Sequence, residues 1–411
     1  MDFNDTAEEA EFRAKVRSWI HANAPKDLEP ELSRAAFGTS GIVSQDPLTA
    51  SKAWQRKKAD AGYACPRWPT EYGGAGFSPI ESVIWSQEEG PFAALSAQFT
   101  VGHGMCGPTM MEWASEDQKH RYLPPLAAGE EIWCQLFSEP AAGSDLAGIR
   151  TRAQKDGDDW IVNGQKIWTS AAHLASFGLL LTRTDPDVPK HKGLTMFFLD
   201  MHSPGVEVRP IKQANGRSGF NEVYFTDVRI PDAQRLGAPG AGWQVSLTTL
   251  MNERLSLGSA ISTGFPALLD YCRHLELNGK PAVDDPMVRS RLAKLAIKES
   301  GLKYTAFRAI TALSKGEAPG PENSIGKLVA GLTMQELAMF ALDLQGQAGV
   351  LGEEADGYFQ TLLMRAPAIR IEGGTDEILR TIIGERVLGL PPDLRADRGI
   401  PFRDIPTRGR D

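Results

Sequence analysis

Trp160-Ile161-Val162-Asn163-Gly164-Gln165-Lys166-Ile167-Trp168 is the stretch on which the fold class turns. On both sides of this region apolar residues recur at helical spacing, whereas here they shorten to strand-length runs. Asn163-Gly164 suits a two-residue type I′ turn, which needs positive φ at both central positions. The pattern therefore predicts a hairpin with residues 160–162 and 165–168 as its arms. Asp156-Gly157 marks another turn just before it. Short apolar runs at Phe177 to Thr182, Leu194 to Leu199 and Val223 to Ile230 extend the sheet to about Pro231.

Outward from this β segment the period returns to that of helices. Phe12, Val16, Trp19 and Ile20 form one helical stripe; the patterning breaks at the Pro- and Gly-rich stretch Pro66 to Pro79 and resumes beyond it through about Leu126. Beyond Gly237 to Gly242, a long helix is bracketed by Asp285-Pro286 and Lys315-Gly316, with Val288, Leu292, Leu295, Leu302, Ala306, Ile310 and Leu313 as its buried stripe. Ile325, Leu328, Leu332, Met339 and Leu342 predict the next stripe. A last helix starts near Thr375 and is expected to bury Leu379, Ile382, Ile383 and Val387. The expected fold is mainly α with a β insert: an N-terminal helical domain at 1–130, a small antiparallel β domain at 131–238 and a C-terminal helical domain at 239–395. A polar tail, 396–411, is expected to be loosely ordered. Strands and helices do not alternate, so a Rossmann sheet is not predicted, and Gly73-Gly74-Ala75-Gly76 reads as turn punctuation.

Composition narrows the chemistry. The 411 residues carry a net charge of -8, the wrong sign for broad phosphate neutralisation, so no nucleic-acid partner is expected. Cys65, Cys106, Cys134 and Cys272 lack CxxC spacing, and the seven histidines show no HExxH, so neither a disulfide framework nor a metal site is indicated. No GxSxG elbow is present. A charged start without a secretory pattern, and no recognised membrane span, lead to the expectation of a cytoplasmic protein without membrane insertion.

Glu131-Ile132-Trp133-Cys134-Gln135-Leu136-Phe137-Ser138-Glu139-Pro140, followed by Ala141-Ala142-Gly143-Ser144-Asp145 and by Asn163 to Ser170, resembles the signature of the acyl-CoA dehydrogenase family. Trp68 to Gly74, Phe225 to Pro231 and Glu372 to Ile378 agree with it in order and separation. The resemblance implies a C-terminal four-helix bundle, bound FAD, and oxidation of an acyl-CoA thioester to a trans-2-enoyl-CoA. In that chemistry a glutamate takes the α proton and hydride goes to flavin N5. It also implies an electron-transferring flavoprotein as acceptor and a homodimer or homotetramer, with a heteromer as the alternative assembly.

Carried over residue by residue, the resemblance assigns flavin contacts to Gln135, Phe137, Ser138, Trp168 and Ser170, and further FAD contacts to Gly374, Thr375 and Glu377. Ser144 and Arg254 fall to the substrate. For the base there are two candidates. Glu253 matches the branch in which the base precedes the arginine of a Glu-Arg pair, here Glu253-Arg254. Glu372 matches the branch with the base in a Glu-Gly-Thr segment, but Glu372-Gly373-Gly374-Thr375 displaces it by one position, so Glu253 is preferred. A base of this kind gains from apolar neighbours that raise its pKa. Leu275 stands where the family has an arginine that reaches a neighbouring subunit's FAD, with Arg273 or His274 as possible substitutes, and Gln345 to Gly349 also departs from the family pattern. A flavin oxidase or monooxygenase on the same fold, and a non-catalytic subunit of a heteromeric dehydrogenase, are the alternative readings.

Overall fold

The computed structural model describes residues 5–32, 42, 44–258, 263–314, 320–321, 323–351, 357–392, 394 and 397–406. They group into two compact units, one formed by 1–50, 77–97 and 254–391 and the other by 51–76, 98–253 and 392–411.

The second unit is built on one sheet. Its strands are β1 (Trp133–Leu136), β2 (Arg152–Asp156), β3 (Asp159–Ser170), β4 (Phe177–Arg183), β5 (Leu194–Asp200), β6 (Val206–Ile211), β7 (Phe220–Pro231) and β8 (Arg235–Leu236), arranged β6-β7-β3-β2-β4-β5-β8 with β1 against β4. Most pairs are antiparallel, as expected, but β1 runs parallel to β4, and β2 meets β4 in parallel at Arg152 and Arg183. β4 and β5 read as unbroken apolar runs because both of their faces are covered. Leu179, Leu181, Met196 and Phe198 point into a core shared with Met110, Leu123 and Leu126. Leu180, Phe197 and Leu199 join Val162, Val223 and Phe225 on the other face.

The hairpin turn lies at Gly157-Asp158, where Asp156 pairs with Asp159, and not at Asn163-Gly164. β3 runs straight through Asn163-Gly164, which instead forms an irregularity opposite β7. Two contacts explain the difference. Asn163 exchanges hydrogen bonds with Asp227, Nδ2 donating to Oδ1 at 2.9 Å and Oδ1 accepting from the Asp227 N–H at 3.0 Å. Gly164, at φ 154°, lies so close to β2 that an added Cβ would meet Thr151 Oγ1 at 2.5 Å. Of the pair, only Gly164 has positive φ, and it serves a bulge between paired strands.

In the first unit, helix Ala7–Asn23 opens with a capping box from Thr6 and buries Val16 and Ile20. Its Trp19 lies 6.0 Å from Trp85 of helix Pro79–Glu89. Helices Phe265–His274, Pro286–Ser314, Asn323–Gln345 and Tyr358–Ile369 pool a core that includes Leu268, Leu295, Leu337 and Phe359. Asp285 caps the long helix by accepting from the Met287 and Val288 N–H groups. Lys315-Gly316 lies outside the described residues, as do the side chains of Arg254, Ile310 and Leu313.

The stripe expected on helix Asn323–Gln345 is displaced. Ala330, Met334, Leu337, Ala338 and Ala341 are buried, whereas Met339 is exposed. This helix is apolar around most of its circumference, so spacing alone does not select a face. By length and composition its Ser324–Gln345 segment is also long and apolar enough to cross a membrane, although these buried residues belong to the helical core. In the last helix Leu379 is buried but Val387 is exposed. The tail differs from expectation as well: Phe402–Asp404 forms a helical turn seated on the 186–192 segment.

A buried ion pair fixes the end of β1 to β3. Lys166 Nζ donates to Glu139 Oε1 at 2.8 Å and to the Phe137 carbonyl at 2.9 Å. Glu139 also accepts from the Arg150 and Thr151 N–H groups at 2.6 and 2.9 Å. Burial pushes the Glu139 pKa up, but Lys166 and the N–H donors outweigh it and hold the carboxyl below its ordinary value. Burial pulls Lys166 down to about 8 against the attraction of Glu139. Removing one partner of such a pair costs roughly 3–5 kcal/mol, whereas replacing both is far milder. Lys166→Met is therefore expected to lower the denaturation midpoint more than Glu139→Gln/Lys166→Met does. Because the Glu139 pKa is depressed on folding, its contribution is present above 4.5 and lost as pH falls through the folded value. The double variant is expected to show a shallower acid dependence in chemical denaturation across that range.

Candidate active site

The candidate residues from the sheet come together around the end of β1. Gln135 sits in β1 opposite Leu179, half-buried, and Phe137 is buried. The Ser138 carbonyl accepts the Ile167 N–H at 2.9 Å, which brings Ser138 beside the segment that carries Trp168 and Ser170. Both of these lie in β3, the second arm of the hairpin that turns at Gly157-Asp158.

Trp168 is held in an unusual way. The β3–β7 register shifts between Lys166 and Thr169, and Trp168 there has φ 60°. A bulky side chain at positive φ is a backbone outlier. The bulge turns the indole outward, leaving it 57% exposed, with its nearest ring neighbour, Phe220, edge-on at 6.2 Å. All other tryptophans are buried or half-buried. Thr169 points inward, its carbonyl accepting Asn221 Nδ2 at 2.9 Å, and His173 Nδ1 lies 3.1 Å from Asn221 Oδ1. Trp168 and Ser170 therefore flank a buried residue on a strand and face away from the core.

Ser144 is exposed in the loop between β1 and β2. Asp145 beside it accepts from Lys190 Nζ at 2.8 and 2.9 Å. Glu253 lies on helix Gly242–Gly258, half-buried and one turn beyond the buried Thr249. That helix is secured by a Thr109–Thr249 hydroxyl contact at 2.8 Å and by Trp113 Nε1 donating to Thr248 Oγ1 at 3.0 Å. Leu250 packs against the core. Arg254 continues the helix backbone.

The remaining candidates surround the start of helix Asp376–Ile382. Gly373 and Gly374 have φ 61° and 95°, and Lys327 Nζ donates to the Gly374 carbonyl. Thr375 caps the helix by accepting the Ile378 N–H at 3.3 Å. Glu377 is exposed, and its own N–H and then the Thr375 hydroxyl hold its carboxyl below the ordinary range. Glu372 accepts from Arg365 Nη2 at 2.5 Å in a largely buried ion pair. Asp376 is buried against Arg370, with Nε to Oδ2 at 2.7 Å.

The sequence reading passed over several residues that organise these positions. Glu139, Lys166, Arg365, Arg370 and Lys327 were not singled out, because their partners lie 6 to 47 residues away. The mid-strand position of Lys166 was the available signal, since lysine is seldom buried without a partner. Leu275, where the family arginine is expected, packs beside the helical core. His274 is engaged with Asp270, and Arg273 is exposed. At the second departure, Gln360 Nε2 donates to Gln345 Oε1 at 3.2 Å and to the Gly349 carbonyl at 2.8 Å. Among the described residues, no group of three or more His, Cys, Asp or Glu is arranged to hold a metal ion.

Three family models match almost the whole chain: the acyl-CoA dehydrogenase N-terminal domain at 6–130, the middle domain at 134–228 and the C-terminal domain at 240–388. The chain belongs to the acyl-CoA dehydrogenase family, a class of flavoprotein oxidoreductases that act on CH–CH groups. It is 35% identical over 399 residues to acyl-CoA dehydrogenase IpdE1 of Mycobacterium tuberculosis, covering 94% of this chain and 98% of that protein. It is 38% identical over 366 residues to acyl-CoA dehydrogenase FadE34 of the same organism, covering 89% of this chain but spanning only 49% of that longer relative. A solved structure described as the Tcur3481-Tcur3483 steroid ACAD superposes with a TM-score of 0.80 at 27% identity, covering 96% of this chain and 100% of the other.

The outward indole gives a direct test of the β3 bulge. Acrylamide quenching of tryptophan emission is expected to fall sharply in Trp168→Phe. An unchanged quenching profile would mean that the indole is not presented to solvent.

Proposed function

We propose that this protein is an FAD-dependent dehydrogenase that converts an acyl-CoA thioester to its trans-2-enoyl-CoA, with Glu253 as the base. The observation that carries the flavin part is the bulge at Lys166–Thr169, which holds an exposed aromatic face at Trp168 with Ser138 close by. An aromatic surface flanked by hydroxyl and amide groups fits the isoalloxazine ring, and Gln135, Phe137, Ser138, Trp168 and Ser170 are its proposed contacts. Gly374, Thr375 and Glu377, at the start of helix Asp376–Ile382, are proposed as further FAD contacts on the family resemblance. When bound, FAD supplies the hydride acceptor.

The protein's own part is to orient the thioester and to take a proton. Ser144 and Arg254 are proposed to meet the substrate. Glu253 takes the proton from the carbon α to the thioester carbonyl. The choice against Glu372 is supported by its one-position displacement from the family's Glu-Gly-Thr pattern and by its 2.5 Å ion pair with Arg365. The same reading keeps 1–130, 131–238 and 239–395 as the domain division, and takes an electron-transferring flavoprotein as the electron acceptor. The paired name of the Tcur3481-Tcur3483 relative, together with Leu275 at the family's arginine position, makes a heteromer the second assembly to test beside a homo-oligomer.

Anaerobic addition of straight-chain, branched and steroid side-chain acyl-CoA thioesters is expected to bleach the visible flavin absorbance with at least one of them. If none does so, the dehydrogenase reading fails. Oxygen consumption during turnover would identify an oxidase, and colourless protein that gains flavin only with a second chain would identify a dependent subunit. Glu253→Gln is expected to slow bleaching by about 10²–10⁴-fold, the usual contribution of a positioned base, whereas Glu372→Gln retains it. Rapid bleaching in Glu253→Gln would remove Glu253 from the role.

A further inference from the structure

Besides its own hydrogen bonds, the loop that carries Ser144 is held by side chains outside it. Arg183, buried at the end of β4, directs its guanidinium to three carbonyls: Ala147 at 2.5 Å and Ile149 at 3.3 Å within the loop, and Lys190 at 2.8 Å in the following segment. Gly193 permits this approach, since an added Cβ would lie 1.9 Å from the Asp185 carbonyl oxygen and 3.1 Å from Arg183 Nη1. Lys190 Nζ holds both carboxylate oxygens of Asp145, the neighbour of Ser144.

Each of these two cations has a second partner in the C-terminal tail. The Phe402 ring covers the Arg183 guanidinium, with Cζ 3.7 Å from the ring centre, a cation–π contact made where water is excluded. Asp397 forms an ion pair with Lys190 Nζ. Burial opposes the charge on Lys190, but Asp145 and Asp397 together outweigh it and raise its pKa. The tail backbone is aligned for this. The Phe402 N–H donates to the Val188 carbonyl at 2.9 Å and the Arg403 N–H to Pro186 at 3.0 Å, while Arg403 pairs with Asp187 at 2.9 Å. A segment more than 200 residues away in sequence thus closes over the two side chains that hold the Ser144 loop.

We propose that residues 397–404 act as a clasp, with Phe402 and Asp397 as positioning residues that fix the Ser144 loop for the acyl-CoA thioester through Arg183 and Lys190. The role of Ser144 rests on the function proposed above; the clasp itself does not. Hydrogen exchange of full-length Phe402→Ala/Asp397→Asn tests the clasp without turnover. Exchange across 139–151 is expected to quicken about tenfold, with β5 and β7 unchanged. Phe402→Tyr, which keeps the ring, is expected to restore protection. Unchanged exchange in the double variant, with its circular dichroism intact, would overturn the proposal.

Turnover then tests the positioning role. KM for the acyl-CoA is expected to rise about three- to tenfold with kcat nearly kept, since the clasp touches no reacting atom. A faster-exchanging loop with KM unmoved would overturn the positioning role while leaving the dehydrogenase reading intact. Failure of wild-type flavin to bleach would count against that reading, and the exchange experiment would still decide the clasp.

Discussion

The buried pair between Glu139 and Lys166 is the constraint from which the rest of the sheet unit follows. Lys166 has no access to solvent, so its ammonium is tenable only because Glu139 and the Phe137 carbonyl surround it. Meeting that demand draws the end of β1 onto β3 and gives the β1–β2 loop a fixed exit through the Arg150 and Thr151 N–H groups. The resulting geometry places Ser138 beside Ile167, one residue before Trp168. A buried charge pair contributes little net stability compared with well-packed apolar residues, but it penalises any register that separates its members. Here its value is specificity of strand placement.

Two irregularities in β3 then separate structural from presented residues. The first, at Asn163-Gly164, is closed by Asn163 and Asp227 and lets β3 pass close to Thr151. The second, at Lys166–Thr169, keeps Lys166 and Thr169 buried while turning the indole between them outward. Trp168 in a left-handed conformation is strained, and such strain persists only where its surroundings overdetermine it. Lys166, Thr169 and the Asn221–His173 contact supply that surrounding network.

The carboxylates of the candidate site divide by environment rather than by sequence context. Glu139 is engaged by Lys166, Glu372 by Arg365 and Asp376 by Arg370. Glu377 lies in the first turn of its helix, where the helix dipole favours negative charge. The proposed base, Glu253, lies on helix Gly242–Gly258, one turn from a buried threonine contact.

Sequence alone determined the helix–strand–helix order, the strand runs at Phe177 to Thr182, Leu194 to Leu199 and Val223 to Ile230, the capped start of the long helix at Asp285, and the signature residues that carry the family resemblance, while β6 (Val206–Ile211) escaped it. These are local properties, written in spacing, caps and short ordered motifs. It misjudged Asn163-Gly164 because a glycine at positive φ serves a bulge as well as a turn, and it misplaced the stripe on helix Asn323–Gln345 because a helix apolar on most sides offers no preferred face. Only the tertiary structure decided that Lys166 is paired with Glu139, that Glu372 is occupied by Arg365, and that Phe402 lies over Arg183. Each is a contact between residues distant in sequence or separated by a loop, and its energy depends on burial and on the direction of a side chain, neither of which periodicity records.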